Sequence, residues 1–177
     1  MRKLSVCLAF ALLFLVACKP TIPTKDGSVT INESGDNGGN VTINTPEGSM
    51  NIDGQDGNVT MKDDKGNEVT AGTNASDANL GVAVYHGAKK DESGGMTMKQ
   101  DSGSIAAFTY TTGDSVAQVS DFYKKEIPAA TVSTTSADGT EMHSYMLDEP
   151  KKKLLVIIMR EKGKTETTIS IRSEILN

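Results

Sequence analysis

The chain has 177 residues, 18 Lys and Arg against 23 Asp and Glu, and a formal net charge of −5. That length holds one medium domain or two small ones, and the acidic balance excludes the cationic footprint that a nucleic-acid partner requires. Both cysteines, Cys7 and Cys18, precede Lys19, so nothing downstream can form a disulfide and stability rests on core burial.

The first element in chain order is a leader. Arg2 and Lys3 open it, an apolar run from Leu4 to Val16 broken only by Ser5 follows, and small Ala17 stands before Cys18. This is a secretory layout, and the apolar run falls short of the about 20 residues of a membrane span. Leu15-Val16-Ala17-Cys18 resembles the lipobox of bacterial lipoproteins. The resemblance implies that residues 1–17 are a signal peptide, that Cys18 carries a diacylglycerol on its sulfur, and that the freed amine is acylated. Cys18 is then the lipidation site and the membrane is a partner reached through it. Each buried methylene contributes ~0.8 kcal/mol, so two or three acyl chains anchor stably where one is marginal. Lys19 stands where, in double-membrane bacteria, an aspartate favours retention in the inner membrane. The expected location is therefore the cell envelope, at the outer membrane. Loss of residues 1–17 removes Arg2 and Lys3 and no acid, leaving 18 − 2 = 16 basic against 23 acidic residues, a net of −7.

Residues 18–26, with Pro20 and Pro23, read as a short extended lipidated tether. A repeat occupies 27–72. Gly27-Ser28-Val29-Thr30-Ile31-Asn32 returns as Gly39-Asn40-Val41-Thr42-Ile43-Asn44, as Gly48-Ser49-Met50-Asn51-Ile52-Asp53 and as Gly57-Asn58-Val59-Thr60-Met61-Lys62, with a degraded copy at Gly66–Thr70. Each copy alternates apolar and polar residues, which is strand period, and the breaks between copies are turn chemistry. The expectation is a β-repeat module, either an antiparallel meander or a small β-solenoid. Its apolar face is thin enough that it should lean on the rest of the chain.

Small polar residues from Ala71 to Asn79 mark a boundary, and 79–177 reads as an α+β domain. Strands are expected around Val82 and Val84, around Met96 and Met98, and over Ile105–Thr111. A helix follows, with Asp114 as its cap, a stripe of Val116, Val119, Tyr123 and Ile127 joined by Phe122, Lys124 and Lys125 in its last turn, and Pro128 as its stop. Three further strands are expected within Thr140–Leu147, Leu154–Arg160 and Thr167–Arg172. The fold class is thus α+β, short β-repeat strands followed by an antiparallel sheet with one packed helix. Tyr85-His86-Gly87-Ala88 and the Thr112-Gly113-Asp114-Ser115 opening of a helix that ends in Phe122-Tyr123 resemble a domain of uncharacterised bacterial lipoproteins. There the first block is usually Tyr-Pro-Gly-Ala. The resemblance spans roughly 79–175, and its motifs are structural.

Candidate chemistry is sparse. Gly113-Asp114-Ser115-Val116 resembles the Gly-Asp-Ser block of a lipase and esterase family, but neither His86 nor His143 has the aspartate three positions before it that the family uses. Met96 with Met98, and Met142, His143 and Met146, are the residue types that suit copper(I), although methionines of this kind ordinarily fill a sheet core. Asp36, Asp53, Asp56, Asp63 and Asp64 offer oxygen ligands for calcium, without a recognised calcium spacing, and read as solvated turns. Lys151-Lys152-Lys153 reads as a soluble hairpin turn. No catalytic residue and no cofactor is expected. The function that fits is an interaction or structural role in the envelope, with envelope proteins as partners. The alternatives are a periplasmic metal or small-ligand carrier and a serine hydrolase built on Ser115 or His143.

Overall fold

The computed structural model of this protein describes residues 21–24, 27–34, 38–46, 48–55 and 58–177. The leader, Cys18, Asp36 and Asp56 lie outside the described residues. Within them the chain is mostly β, a single antiparallel sheet with one α-helix.

In chain order the strands are β1 (Thr21–Thr24), β2 (Gly27–Ser34), β3 (Gly38–Thr45), β4 (Gly48–Gln55), β5 (Asn58–Asp63), β6 (Glu68–Gly72), β7 (Lys89–Gln100) and β8 (Gly103–Thr112). Helix α1 (Val116–Glu126) follows, then β9 (Thr131–Ala137), β10 (Thr140–Glu149), β11 (Lys152–Arg160) and β12 (Thr167–Leu176). The sheet order is β1-β2-β3-β4-β5-β6-β7-β8-β12-β11-β10-β9. The repeat strands β2 to β6 pair each with the next as an antiparallel meander, because turns of a few residues permit only that return. Residues 21–24, read above as tether, add an edge strand to β2.

The repeat does not stack on the C-terminal strands. Its last strand joins them edge to edge, from Glu68↔Lys99 to Gly72↔Gly95, and the sheet runs on without a break. The segment between β6 and β7 packs inward. Ala75 and Leu80 are fully buried, and Asn58 Oδ1 accepts from the Asn74 backbone N–H at 2.7 Å. The strand expected at Val82 and Val84 does not form. Gly81 and Gly87 take φ of 65° and 80°, which turns the chain at both ends of the stretch. Val82 and Val84 instead pack against the core beside buried Tyr85.

Helix α1 crosses one face of the C-terminal strands. Val116, Val119, Tyr123 and Ile127 are buried beneath it against Phe108, Tyr110, Tyr145, Leu154, Val156, Ile158, Ile169 and Ile171. Its cap is Ser115, not Asp114. Ser115 Oγ accepts from the Gln118 N–H at 3.3 Å, and Gln118 Oε1 accepts from the Ser115 N–H at 3.0 Å, a reciprocal capping box. The Asp114 carboxylate is engaged elsewhere, accepting from Tyr85 Oη at 2.8 Å. Its carbonyl accepts from Arg160 Nη2 at 2.6 Å and Thr167 Oγ1 at 2.7 Å. Those bonds fix the loop that feeds the helix.

Candidate interaction face

Residues directly opposite one another in an antiparallel ladder share a face, so the register sorts every side chain to one side of the sheet or the other. One row crosses seven strands, Ile31↔Val41↔Ile52↔Met61↔Val69↔Met98↔Ile105. On one side of it lies the row Ile22↔Val29↔Ile43↔Met50. On the other side lie Val59↔Ala71↔Met96↔Ala107, and beyond Arg172 the same row continues as Leu155↔Met146. All three rows point away from α1, since Ala106, Phe108 and Tyr110, the alternate residues of β8, are the ones buried in the core that α1 shares.

The repeat therefore sends its apolar side chains to the face that the helix does not cover. Its other face is a polar ladder. Thr21 and Thr30 hydroxyls meet at 3.2 Å, Thr42 Oγ1 donates to Asn51 Oδ1 at 2.9 Å, and Lys62 pairs with Glu68 at 3.1 Å. The C-terminal strands bury one apolar face under α1 and carry a second, with Leu155, Ile157 and Met159, on the open side. Nothing among the described residues covers that side. Met50 is 42% exposed, Val59 37%, Met96 39% and Met146 56%. Apolar side chains exposed together in this way are what a contact surface presents.

The seven methionines among the described residues, Met50, Met61, Met96, Met98, Met142, Met146 and Met159, all lie on this open face. This corrects the expectation that Met96, Met98 and Met146 fill the core. The flexible, polarizable thioether suits a surface that must fit an irregular partner. A shallow concavity of ≈ 480 Å³ sits in the middle of the face, floored by Ala107, Thr109, Ser170 and Ile157 and flanked by Met96 and Leu155. Ala107, Thr109 and Ser170, small residues on the floor, leave the hollow. Arg172 stands exposed within it and forms no ion pair among the described residues.

The methionines and histidine singled out for copper(I) do not converge. Met96 and Met98 are on β7, and Met142 and Met146 on β10, with β8, β12 and β11 between them, about 19 Å at the usual strand spacing. Period-two alternation puts His143 on the opposite, helix-covered face. There His143 Nδ1 lies 2.7 Å from Ser120 Oγ, and its Nε2 lies 3.4 Å from Glu141 Oε1. Sequence reasoning missed this serine. Its signal was the helical stripe, because Ser120 adjoins Val119 on the buried side of α1.

A serine, a histidine and a carboxylate in line have the form of a nucleophilic triad, but the surroundings argue for a clamp. Ser120 is 8% exposed. Its hydroxyl also meets Tyr145 Oη, which in turn donates to the Ser120 carbonyl at 2.8 Å. The group ties α1 to β10. Ser115 is likewise engaged, its hydroxyl donating to Gln118 Oε1 at 2.8 Å. The acidic turn at Asp63 closes on itself: its carboxylate accepts from the Asn67 side chain at 2.6 Å and from the Asn67 and Lys65 N–H groups. The Asn67 side chain, followed by those backbone donors, holds the carboxyl below its ordinary range. Lys152, from the lysine run, donates to the Gly81 carbonyl at 2.6 Å.

Comparison with protein-family models, with curated proteins and with solved structures finds no match to this chain.

Proposed function

We propose that this chain is a lipid-anchored protein of the cell envelope that works by interaction and not by catalysis. In this reading residues 1–17 are removed, acyl groups on Cys18 hold the chain at the outer membrane, and an α+β body extended by β-repeat strands presents one sheet face to an envelope partner. The observation that carries the interaction half is the open apolar face, with its methionines gathered on one side of a sheet whose other side is either packed or polar. The lipobox resemblance carries the anchoring half. Only Lys19 and Pro20 separate Cys18 from Thr21, so the β1 edge would stand against the lipid headgroups. The net of −7 left after cleavage opposes a close approach of the remaining surface to anionic lipid.

The anchoring half is tested by intact-mass and N-terminal peptide mass spectrometry of protein taken from its native membranes. The expected result is a chain that begins at Cys18 and carries diacylglyceryl and acyl groups. A bare thiol at Cys18, or residues 1–17 still attached, would overturn it.

A further inference from the structure

We infer that β9 pairs with β9 of a second copy of this chain, antiparallel about a two-fold axis at Thr134, so that the two sheets join edge to edge. This contact uses the edge of the sheet and is separate from the open face.

The two ends of the sheet are built differently. A terminal strand presents unpaired N–H and C=O groups, and proteins ordinarily guard such edges with charged residues, proline, bulges or shortness. β1 is four residues long and carries Pro23, which suits an edge that refuses a further strand. β9, at the other end, has none of these devices. Its seven residues, Thr-Val-Ser-Thr-Thr-Ser-Ala, hold no charge, no proline and no glycine. All of them are exposed, and their register with β10 runs unbroken. Threonine and valine favour extended backbone, so the edge is a template for another strand.

The turn fixes which backbone groups point outward. Asp138 and Gly139 form a two-residue hairpin with positive φ at both positions. Ala137↔Thr140 is then a hydrogen-bonded pair, and bonded pairs recur at Thr135↔Met142 and Ser133↔Ser144. Val132, Thr134 and Ser136 therefore turn their N–H and C=O groups away from β10. An axis at Thr134 sets Thr134 opposite itself and Val132 opposite Ser136, and each of these pairs exchanges both backbone bonds.

The side chains match in the same register. Thr134 meets Thr134 and Ser133 meets Thr135, cross-strand pairs of a kind that stabilises a ladder, and no like charges meet. Val132, 47% exposed in the single copy, gains cover from the other strand. The helices leave room. α1 packs over β10 and β11, which puts the two helices about 19 Å apart across the axis, beyond the about 10 Å of packed helices. An edge about 24 Å long buries less than the about 1,200 Å² of a standard interface, so backbone hydrogen bonds hold this contact more than area does. It is isologous and closes at two copies.

The test places single cysteines along β9 in cells that express the full chain and are treated with a thiol oxidant. Residues opposite one another in a bonded pair lie about 5.5 Å apart at Cα, within disulfide reach. Thr134→Cys would face its own copy. Thr131→Cys, also exposed, would lie about 20 Å from its counterpart. The expected result is that most Thr134→Cys chains run at twice the mass, with Thr131→Cys at the background of the wild-type chain. Ser136→Pro removes an outward N–H and no bond to β10, so adding it to Thr134→Cys should cut the linked fraction several-fold and leave the melting temperature little changed. Linkage no greater at 134 than at 131, or linkage in a folded chain that persists with Ser136→Pro, would overturn the pairing. So would a photoreactive side chain at position 134 that joins another protein and no second copy. None of these outcomes depends on acyl groups at Cys18 or on what covers the open face, so the reading under the previous heading stands or falls separately.

Discussion

Ser115 illustrates how much a single side chain in this protein does for its own segment. Its hydroxyl and the Gln118 amide satisfy donors at the start of α1 that the helix leaves without partners. Ser115→Ala should cost about 1 kcal/mol, read as a lower urea midpoint with unchanged slope. The tyrosines make a second residue-level prediction. Burial pushes Tyr123 up to about 12, burial and then the Asp77 carboxylate push Tyr110 further, and the hydrogen bond to Asp114 raises Tyr85. A phenol whose folded value lies above its unfolded value of 10.0 stabilises the fold fully below that pH. The contribution is lost as pH rises through the folded value. The melting temperature should therefore show no loss from these groups up to pH 10 and fall above it. Phenolate absorbance of the folded chain should lag behind that of the denatured chain. The Gly-Asp-Ser block was legible as a helix start, but which of its two polar residues caps was not. Asp114 and Ser115 are both good caps, and a distant residue, Tyr85, takes Asp114.

At the scale of elements, most of the β structure was legible because its signals are local. The repeat alternates strictly, and α1 has its stripe, its closing lysines and its proline. β9 was missed because Val132 is the one large apolar side chain in it and all its residues are exposed. A strand with no buried face leaves no period to read. Its trace was the turn after it, Asp138-Gly139, with φ of 51° and 80°, the left-handed pair that a two-residue hairpin needs. The misreading at Val82 and Val84 has the opposite cause, alternation without the flanking geometry of a strand. The two faces of β11 make a direct test of the assignment. Ile158 is 0% exposed under α1, and Ile157 lies on the open face. Ile158→Ala should cost about 2–5 kcal/mol, and Ile157→Ala clearly less, because that side chain is only partly buried. Equal losses in urea unfolding would refute the two-faced sheet.

For the molecule as a whole, the face that matters could not be read from the sequence. Alternation says that one side of each strand is apolar, not which side of a twelve-stranded sheet it joins, and that depends on register across β6 and β7. The narrow repeat was expected to lean its apolar side on the C-terminal strands. Pairing edge to edge instead gave the sheet its length, about 50 Å from β1 to β9 at the usual spacing, and left one continuous apolar side without a cover. The helix extends over only part of the opposite side, and none of the described elements closes this surface. An open face of this kind makes the protein depend on its surroundings, and methionines make that dependence measurable, since oxidation converts each thioether to a polar sulfoxide. The most direct measurement is peroxide footprinting of Met50, Met96 and Met146, the most exposed of them, in intact envelopes and in protein purified to a dilute solution. The account predicts slow oxidation of all three in the envelope and fast oxidation after purification, while the folded core persists. Equal rates in the two settings would contradict it.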